Sequence, residues 1–489
     1  MNANKRIQVM KKILPIGFAV ILLSSGAMAQ TNDSIVHDAY GQYRQQAIEE
    51  YRAFQQQARD EFQRFLNEAW TSYQCFKGSD AFFAQPKPDS IPAFGVVSEN
   101  QLRSEQHEPP ITNDGFQANE PDGNGQTVSI SFYGCRLHFA LPAALRIKAK
   151  GTREKQVAQY YAQMSEQAET QAFLKQIEGS VRRMGLNDWG YFTLLRSISE
   201  KAFADMNDRV LFCFFMLRQE GFRARIGREQ QSGQLKLLIA IDNAKEVYSL
   251  SFYRFNGVKY YSVYGGTDGA DILSYNEKSD DKGLKEFSLD FKRTLNMAAC
   301  DKTRTLTWGK DKATLTLPYC TSHLRYLDDM PLTVFPVYCK SALPYQTQET
   351  LDSYFGPMKQ SHSQAEMVEI LLHFVQNAFQ YKIDEKQFGR EKYFFPEEVI
   401  AYPYSDCEDR CALFTWLVRR YTNCEVIGVL YPDHLATGVC FGNAEAPKGQ
   451  GLRHNGKYYL LCDPTYPNAP IGTVLPQLKS VPYEIVKIG

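Results

Sequence analysis

The stretch Pro403-Tyr-Ser-Asp-Cys-Glu-Asp-Arg410 marks the start of an apolar helix. Ser405 followed three residues later by Glu408 is the pattern of a capping box, and apolar residues recur over 412–417. With Ser405 as the N-cap, we expect Cys407 at the second helical position, where unpaired backbone N–H groups and the helix dipole lower the pKa of a thiol. The acidic neighbours of Cys407 oppose that effect. A cationic partner is therefore needed to make the thiolate dominant.

Two later residues complete the pattern of a nucleophilic site. His434 lies 27 residues after Cys407 and opens an apolar run, 435–441, that predicts a buried strand. Asp463 lies a further 29 residues on, at the end of a strand predicted over 457–463. Cysteine, histidine and aspartate supply a nucleophile, a base and the group that orients the base. Because all three stand at element boundaries, the sequence predicts a catalytic triad of Cys407, His434 and Asp463.

Each of these residues also has a structural interpretation. A cysteine in an apolar helix commonly packs in the core, a single strand histidine is commonly structural, and Asp-Pro at a strand end commonly forms a turn. A metal site built from Cys407, Cys411 and His434 is another alternative, but it lacks the paired spacing of strong zinc motifs. The triad hypothesis rests on the three residues occurring together, and we expect no metal and no cofactor.

Four segments of the chain resemble the transglutaminase-like superfamily, a papain-related group of cysteine enzymes. They are Phe394-Phe-Pro-Glu-Glu-Val399, Ser405-Asp-Cys-Glu-Asp-Arg410, Asp433-His-Leu-Ala-Thr437 and Asp463-Pro-Thr465, within residues 364–475. The resemblance places the family's catalytic residues on Cys407, His434 and Asp463. It implies an α+β fold with a papain-like core, and acyl transfer from a peptide or protein substrate through a thioester. The reaction would end in hydrolysis, or in crosslinking of glutamine side chains to amines.

The group that stabilises the oxyanion is less clearly marked than the triad. The glutamine that papain-like enzymes carry six residues before the cysteine is absent, because that position is Ala401. We expect the backbone N–H of Cys407 to serve, with the side chain of Tyr404 or Tyr402 as a further donor. Transglutaminases proper use calcium, but the sequence has no acidic loop of EF-hand type that would demand it.

The site region recurs 201 residues earlier in the chain. Six residues of the earlier region match the site region without a gap: Asp205, Asp208, Arg209, Arg218, Ile226 and Gly227. The later segment 455–459, Asn-Gly-Lys-Tyr-Tyr, recurs with one insertion as 256–261, and Thr465 matches Thr267. This match predicts two copies of one fold.

The earlier copy lacks the candidate catalytic residues of the later copy. Met206 stands where the later copy has Cys407, and Gly265 stands where it has Asp463. The whole stretch between His138 and His323 contains no histidine. We therefore expect only the second copy to be catalytic, and the degenerate first copy to be part of the architecture or of a substrate cleft.

The first residues have the pattern of a signal peptide. Basic residues between 5 and 12 precede an apolar run over 13–23, and Ala27-Met-Ala29 forms an A-x-A cleavage site. The pattern predicts cleavage after Ala29 and a periplasmic or secreted protein with no transmembrane segment after signal removal. An uncleaved amphipathic anchor is the alternative.

Residues 38–77 have the pattern of a long helix with one aromatic face. Its inward-facing residues recur in an 11-residue repeat, which keeps them on one side of a straight helix. They are Tyr40, Tyr43, Ala47, Tyr51, Phe54, Ala58, Phe62, Phe65, Ala69, Tyr73 and Phe76. Docking on the protein's own body is the favoured interpretation, and self-association through a helix pair is the alternative. Residues 78–125 then have the composition of a linker.

Charge and cysteine content limit the function classes. Lysine and arginine number 55, as do aspartate and glutamate, which argues against a nucleic-acid-binding arm and predicts no nucleic-acid partner. Removal of the four basic residues of the signal leaves a mature chain at −4. The 11 cysteines cannot all pair within one chain, and a reactive Cys407 that must stay free would explain the odd number.

Together these observations predict an α+β protein in five parts. They are a signal peptide, 1–29; a striped helix with linker, 30–110; a degenerate transglutaminase-like unit, 111–270; a β-rich connecting segment, 271–345; and a catalytic transglutaminase-like domain, 346–489. Three functions remain open: an exported cysteine protease or amidase, which we favour, a protein-glutamine amine transferase, and a non-catalytic binding or assembly protein that keeps the fold.

Overall fold

The computed structural model describes residues 56, 60, 62–77, 126–242, 245–275, 283–309, 311–442 and 446–488. Met1–Glu61 and Phe62–Gly489 form separate compact units, and the described strands all belong to the second unit. The predicted signal peptide, the linker and most of the striped helix lie outside the described residues. Cleavage after Ala29, export and self-association through the helix therefore stay predictions.

The prediction of a helix continuing to residue 77 is wrong. Residues 62–67 are helical, but Thr71–Tyr73 forms a strand, β1. Phe62, Leu66 and Trp70 are buried, whereas Ala69 and Phe76 of the predicted stripe are exposed. The β-branched and aromatic residues of β1 find backbone partners in Ile272–Ser274, and this tertiary pairing outweighs the local helical pattern.

The first half of the second unit combines four helices with a hairpin and a six-stranded sheet. The helices are α1 (Glu154–Ser165), α2 (Thr170–Met184), α3 (Asp188–Ala202) and α4 (Met206–Gln219). The strands after β1 are β2 (Gln126–Phe132), β3 (Cys135–Leu141), β4 (Ala224–Glu229), β5 (Leu235–Ala240), β6 (Phe252–Phe255), β7 (Val258–Tyr264) and β8 (Ile272–Ser274). β2 and β3 form the hairpin, and the others form an antiparallel sheet in the order β1-β8-β4-β5-β7-β6.

Within its described residues, the segment 271–345, predicted to be β-rich, contains β8 of the six-stranded sheet and one hairpin. The hairpin consists of β9 (Lys302–Trp308) and β10 (Ala313–Tyr319). The short helices α5 (Thr321–Asp328) and α6 (Phe335–Tyr338) follow it, so the described strands of this segment end at Tyr319. Pro336 at the start of α6 favours a helical first turn, which the apolar pattern alone does not reveal.

The second half has the same mixture of helices and an antiparallel sheet. Its helices are α7 (Tyr345–Ser361), α8 (Gln364–Ala378), α9 (Asp384–Phe388), α10 (Pro396–Ala401) and α11 (Cys407–Tyr421). Its strands are β11 (Gln380–Tyr381), β12 (Tyr404–Ser405), β13 (Glu425–Tyr431), β14 (His434–Cys440), β15 (Gly451–His454), β16 (Lys457–Cys462) and β17 (Glu484–Lys487). β11 and β12 pair in parallel, and the remaining five form a sheet in the order β15-β16-β14-β13-β17. The protein is thus of mixed helix and sheet, as predicted.

The two halves repeat one order of elements. In each half a buried helix, α4 or α11, precedes five strands, and the strand orders β8-β4-β5-β7-β6 and β17-β13-β14-β16-β15 correspond position by position. Each half also closes one hairpin with an Asn-Gly turn in which both residues have positive φ, Asn256-Gly257 and Asn455-Gly456. Such turns match the twist of antiparallel strands, so the shared sequence pattern has a shared structural role.

The hairpin β9–β10 supports the segment that leads to Cys407. The Arg304 guanidinium donates hydrogen bonds to the carbonyls of Val399, Ile400, Tyr402 and Pro403, at and after the end of α10. A cation at a helix C-terminus satisfies carbonyls that have no helical partner. The connecting segment therefore helps to fix the chain just before the predicted nucleophile.

No helix in the described part of the chain is long and apolar enough to cross a membrane. All eleven cysteines lie among the described residues, and none is bonded to another. We expected some cysteines to form disulfide bonds while Cys407 stays free, and this structure contains no such bonds among the eleven cysteines.

Candidate functional site

The helix that carries Cys407 begins one residue later than the sequence pattern suggested. Asp406, not Ser405, is the N-cap, and the capping box joins Asp406 to Asp409. Ser405 lies in β12, and its Oγ accepts a hydrogen bond from Arg410 Nε (3.2 Å), so its side chain does not cap the helix. Cys407 is therefore the first helical residue, still within the turn where backbone N–H groups favour an anion.

His434 and Asp463 form the hydrogen-bonded pair that the sequence predicted. His434 begins β14, Asp463 directly follows β16, and His434 Nε2 lies 2.9 Å from Asp463 Oδ2. Both side chains are almost fully buried. Burial alone would lower the pKa of His434, but the Asp463 carboxylate outweighs it, and the pKa of His434 is raised. The pKa of Asp463 is lowered, because the attraction of His434 and the hydrogen bonds to this carboxylate outweigh its burial.

Two further residues hold Asp463 in place. Thr465 donates to Asp463 Oδ1 from its backbone nitrogen (2.9 Å) and from its hydroxyl (2.6 Å). Gln376 of α8 is buried, and its Nε2 donates to the backbone carbonyls of Asp463 (2.9 Å) and Ala469 (3.0 Å). The orientation of the His434 ring is therefore set by a second layer of hydrogen bonds around its carboxylate partner.

The second ring nitrogen of His434, Nδ1, has no structural partner among the described residues. Nε2 faces Asp463, and Nδ1 is buried with no hydrogen-bond partner among the described residues. A buried imidazole nitrogen without a partner is costly, so it calls for a functional explanation. The start of α11 lies near this ring, because the charge of Glu408 contributes to the raised pKa of His434. Nδ1 is therefore the ring nitrogen that remains available as a proton acceptor.

Cys407 itself is fully buried, and its thiol contacts Glu408. Cys407 Sγ lies 2.9 Å from Glu408 Oε2, so the thiol donates to this carboxylate. Glu408 also contributes to the raised pKa of His434, which places its charge near both residues. From the sequence we expected Glu408 to complete the capping box and to oppose the thiolate by its charge, whereas the structure shows a direct partner of the thiol. In this state the thiol is shielded from solvent and hydrogen-bonded to Glu408.

A cavity of about 370 Å³ opens next to the pair and has an acidic, aromatic lining. Glu408 and His434 line it together with three other carboxylates, Glu391, Asp433 and Glu484. Tyrosine side chains form much of the remaining wall, and neither lysine nor arginine is among its described lining residues. The cavity is lined by His434 and Glu408 but not by Cys407, so Glu408 contacts both the cavity and the thiol.

The tyrosines considered for the oxyanion hole have other contacts. The Tyr402 ring stacks on Phe394 (4.9 Å between centroids), and the Tyr404 ring lies under the Lys382 ammonium (4.9 Å). Within the described ranges, neither hydroxyl has an identified hydrogen-bond partner. The backbone N–H of Cys407 lies in the first turn of α11, where N–H groups have no partner within the helix, so its predicted role as an oxyanion donor stays a prediction.

Acidic groups near the start of α11 could hold a cation in two places. Ligand atoms of Asp406, Cys407 and Glu408 lie within 4.8 Å of one another, as do those of Asp384, Asp406 and Asp409. Asp384 and Asp409 already have structural roles, because each accepts a backbone N–H of the segment before α10, from Lys392 and Phe394 respectively (2.8 Å each). Burial and the adjacent carboxylates raise the pKa of Asp409.

Arg410 supplies a buried positive charge that the sequence pattern did not mark as part of the site. Its guanidinium donates to Ser405 Oγ and to the carbonyls of Gln376 (3.4 Å) and Phe379 (2.6 Å). Burial lowers the pKa of Arg410 to about 10, so it stays cationic at neutral pH. Arg410 joins the first turn of α11 to the end of α8.

Glu408, Gln376 and Arg410 were missed as site residues for different reasons. Glu408 and Arg410 lie within the quoted stretch, and their buried roles follow only from a helix packed on all sides. Gln376 is the polar exception on the buried side of α8, a signal that the sequence contains. Its partner 87 residues away is visible only in three dimensions.

Comparisons with known proteins leave the site to be interpreted from its own geometry. Neither models of protein families, nor curated proteins, nor solved structures gave a match for this chain.

Proposed function

We propose that this protein is an exported cysteine-dependent acyl-transfer enzyme with the triad Cys407, His434 and Asp463. The observation that carries the proposal is the His434 ring, with the Asp463 carboxylate on Nε2 and an Nδ1 that is buried and has no hydrogen-bond partner among the described residues. Most buried polar groups have a hydrogen-bond partner, so a buried nitrogen without one on a ring held by a carboxylate favours a functional role. This histidine is oriented by one nitrogen and available through the other.

In the proposed mechanism each triad residue has one role. Cys407 Sγ passes its proton to His434 Nδ1 and attacks the substrate carbonyl carbon, and the carbonyl oxygen becomes an oxyanion near the Cys407 N–H. His434 returns the proton to the leaving amine as the carbon–nitrogen bond breaks, which leaves a thioester. Water or an amine then attacks the thioester, gives its proton to His434 and releases the thiol. Asp463 fixes the ring and stabilises its protonated form throughout.

The lining of the cavity supports a cationic substrate group. Four carboxylates and several tyrosine rings next to His434 attract a lysine or arginine side chain, or a primary amine, by charge and by cation–π contact. A peptide with a basic residue near the cleaved amide suits the hydrolase that we favour. A primary amine as the acyl acceptor suits the transferase, which remains the second candidate.

The buried thiol favours a third candidate, a non-catalytic binding or assembly protein. In the state described, Cys407 is shielded and hydrogen-bonded to Glu408. An enzyme must open this site, whereas a scaffold need not. The unpartnered Nδ1 of His434 is the observation that weighs against a scaffold.

An activity assay separates these functions. The protein would be incubated with a peptide library containing glutamine and basic residues, together with a labelled primary amine. Amine incorporation supports the transferase, and peptide cleavage, or ammonia release without amine incorporation, supports the hydrolase. Either activity should disappear in Cys407→Ala and persist in Cys411→Ala, the matched control one turn further along α11. Activity that survives Cys407→Ala would rule out the proposed nucleophile.

We further propose that the two halves are copies of one transglutaminase-like, papain-related fold, the first without chemistry. The equal strand orders and the matching Asn-Gly turns support this relationship. At Gly265, which replaces Asp463, a Cβ atom would lie 2.4 Å from the carbonyl of Leu235. The first half therefore has no room for an aspartate there, and Met206 offers no nucleophile.

A further inference from the structure

A second cavity, of about 520 Å³, has a lining opposite in charge to that beside His434. Five basic side chains line it: Arg182, Arg183, Lys292, Arg293 and Lys340. Thr294, Asn296 and Tyr345 add uncharged hydrogen-bond donors, and no carboxylate is among its described lining residues. In a chain with equal numbers of acidic and basic residues, this concentration of donors is not expected from composition.

The backbone segments that form this cavity are held in a fixed arrangement. The last turn of α2 supplies two of the arginines, and the segment 291–296 packs against the end of that helix. Gly185 caps α2 with φ of +67°, and a Cβ there would lie 2.0 Å from the carbonyl of Thr294, so only glycine allows the close approach. The Asn296 N–H also donates to the Met184 carbonyl (2.9 Å).

The charge on three of the five basic side chains is not neutralised by a described side chain. Lys340 pairs with Asp290 (3.0 Å), and Arg183 donates to Ser180 Oγ (3.4 Å). No side-chain partner of Arg182, Lys292 or Arg293 occurs among the described residues. Arginines in the last turn of α2 also complement its helix dipole, but Lys292 and Arg293 lie on no helix, so the dipole does not explain them.

We propose that this cavity binds a multivalent oxyanion, a ligand that carries two or more phosphate-type groups. Arginine forks and lysine ammonium groups from three separate segments converge there, which suits a ligand with several charged oxygens. A soluble polyphosphorylated molecule and a phosphate-bearing lipid headgroup share this chemistry. The proposal does not depend on the triad, because none of its residues contributes to the site around His434.

Calorimetric titration of the intact protein with inorganic tripolyphosphate at low salt tests this proposal. The variant Arg182→Gln/Arg293→Gln should weaken binding by about tenfold or more, because a hydrogen bond to a charged group contributes about that much. Lys175→Gln is the matched control, because Lys175 is an exposed cation on the same helix, α2, but does not line the cavity. This change should leave binding unchanged. Unfolding temperatures of all variants establish that the fold is intact.

The outcomes separate the proposal from general electrostatics. No binding by the parent protein, or equal weakening by Lys175→Gln, would overturn it. Flotation with vesicles containing an anionic phospholipid then distinguishes the source. Vesicle binding that requires Arg182 and Arg293 supports a lipid headgroup, whereas tripolyphosphate binding alone supports a soluble ligand.

Discussion

Glu408 is the residue whose contacts bear most directly on the proposed nucleophile. Its carboxylate accepts a hydrogen bond from the Cys407 thiol, and its charge lies near His434, where it favours the imidazolium but opposes a thiolate. The same side chain lines the acidic cavity, whereas Cys407 does not. We therefore expect Glu408 to restrain the thiol in the resting site.

Replacing Glu408 tests this role. Glu408→Gln keeps the size of the side chain and removes its charge, so alkylation of Cys407 at pH 7 should become severalfold faster. The readout is peptide mapping by mass spectrometry after timed treatment with iodoacetamide. Slower alkylation would show that Glu408 activates the thiol instead of restraining it. Glu385→Gln, an exposed change on α9, is the control.

The His434–Asp463 pair should leave a signature in the pH dependence of stability. The pKa of His434 is raised in the folded state. Its contribution to the free energy of unfolding is therefore complete below about pH 6.5 and is lost as pH rises through the folded-state pKa. The pKa of Asp463 is lowered, so its contribution is present above about pH 3.9 and is lost as pH falls through the folded-state pKa.

The variant Asp463→Asn removes the charge from this pair. The difference in free energy of unfolding between parent and variant should therefore be largest between about pH 4 and 6.5 and should shrink at higher pH. Urea unfolding at a series of pH values measures it. A difference that is constant with pH would contradict a charged pair at this position.

At the scale of elements, the site depends on how α8 and α11 meet the sheet. α11 is buried on nearly every side, carries Cys407 as its first residue, and contacts β14 through the Cys411 thiol and the Leu435 carbonyl. α8 contributes no triad residue, but Gln376 connects it to the turn after β16. The helices therefore fix the backbone on both sides of the His434–Asp463 pair.

Gln376→Leu tests the contribution of α8. The change removes the donor of the Ala469 carbonyl and one of the two donors of the Asp463 carbonyl, so we expect a loss of about 2 kcal/mol in the free energy of unfolding and a lower kcat. Asn377→Leu, which removes only a bond to the His373 carbonyl of the same helix, should cost less than half as much. Urea unfolding and steady-state kinetics measure both effects, and equal losses in the two variants would contradict the role of Gln376.

The elements of the site were more predictable than its cap or its supporting residues. Apolar runs and helix-start signals located α11, β14 and β16 to within a residue or two, because local patterns determine them. The N-cap shifted from Ser405 to Asp406 because Ser405 is held in β12 by pairing with Tyr381. The helix predicted to reach residue 77 failed for the same kind of reason, since the strand partner of β1 lies about 200 residues away in the chain.

At the scale of the whole molecule, a chain with equal numbers of acidic and basic residues has two cavities of opposite charge. The cavity beside His434 is lined by carboxylates, and the cavity at the end of α2 is lined by basic groups. The net charge of the chain gave no indication of either cavity, because acidic and basic residues are equal in number over the whole sequence. The first half, which lacks the triad, contributes the basic arginines of α2, while the second half holds the candidate catalytic site.

The acidic cavity predicts that the proposed enzyme prefers cationic substrates. Glu484→Gln removes an exposed lining charge and should lower kcat/KM for a lysine-containing peptide by about two- to fivefold, with little change for a neutral analogue. The preference should weaken as salt increases, because exposed charges are screened. Glu349→Gln, an exposed change on α7, is the control, and an equal loss for both peptides would argue against charge selection.

The most direct test of the triad is the pH dependence of Cys407 alkylation in the parent protein and in His434→Ala. Opening of the buried site changes the absolute rate at every pH, whereas the base changes the pH at which the thiolate forms. We predict a half-maximal rate well below about pH 8.5 in the parent and a return to about that value, typical of an ordinary thiol, in the variant. Coincident profiles for the two proteins would contradict an activated Cys407.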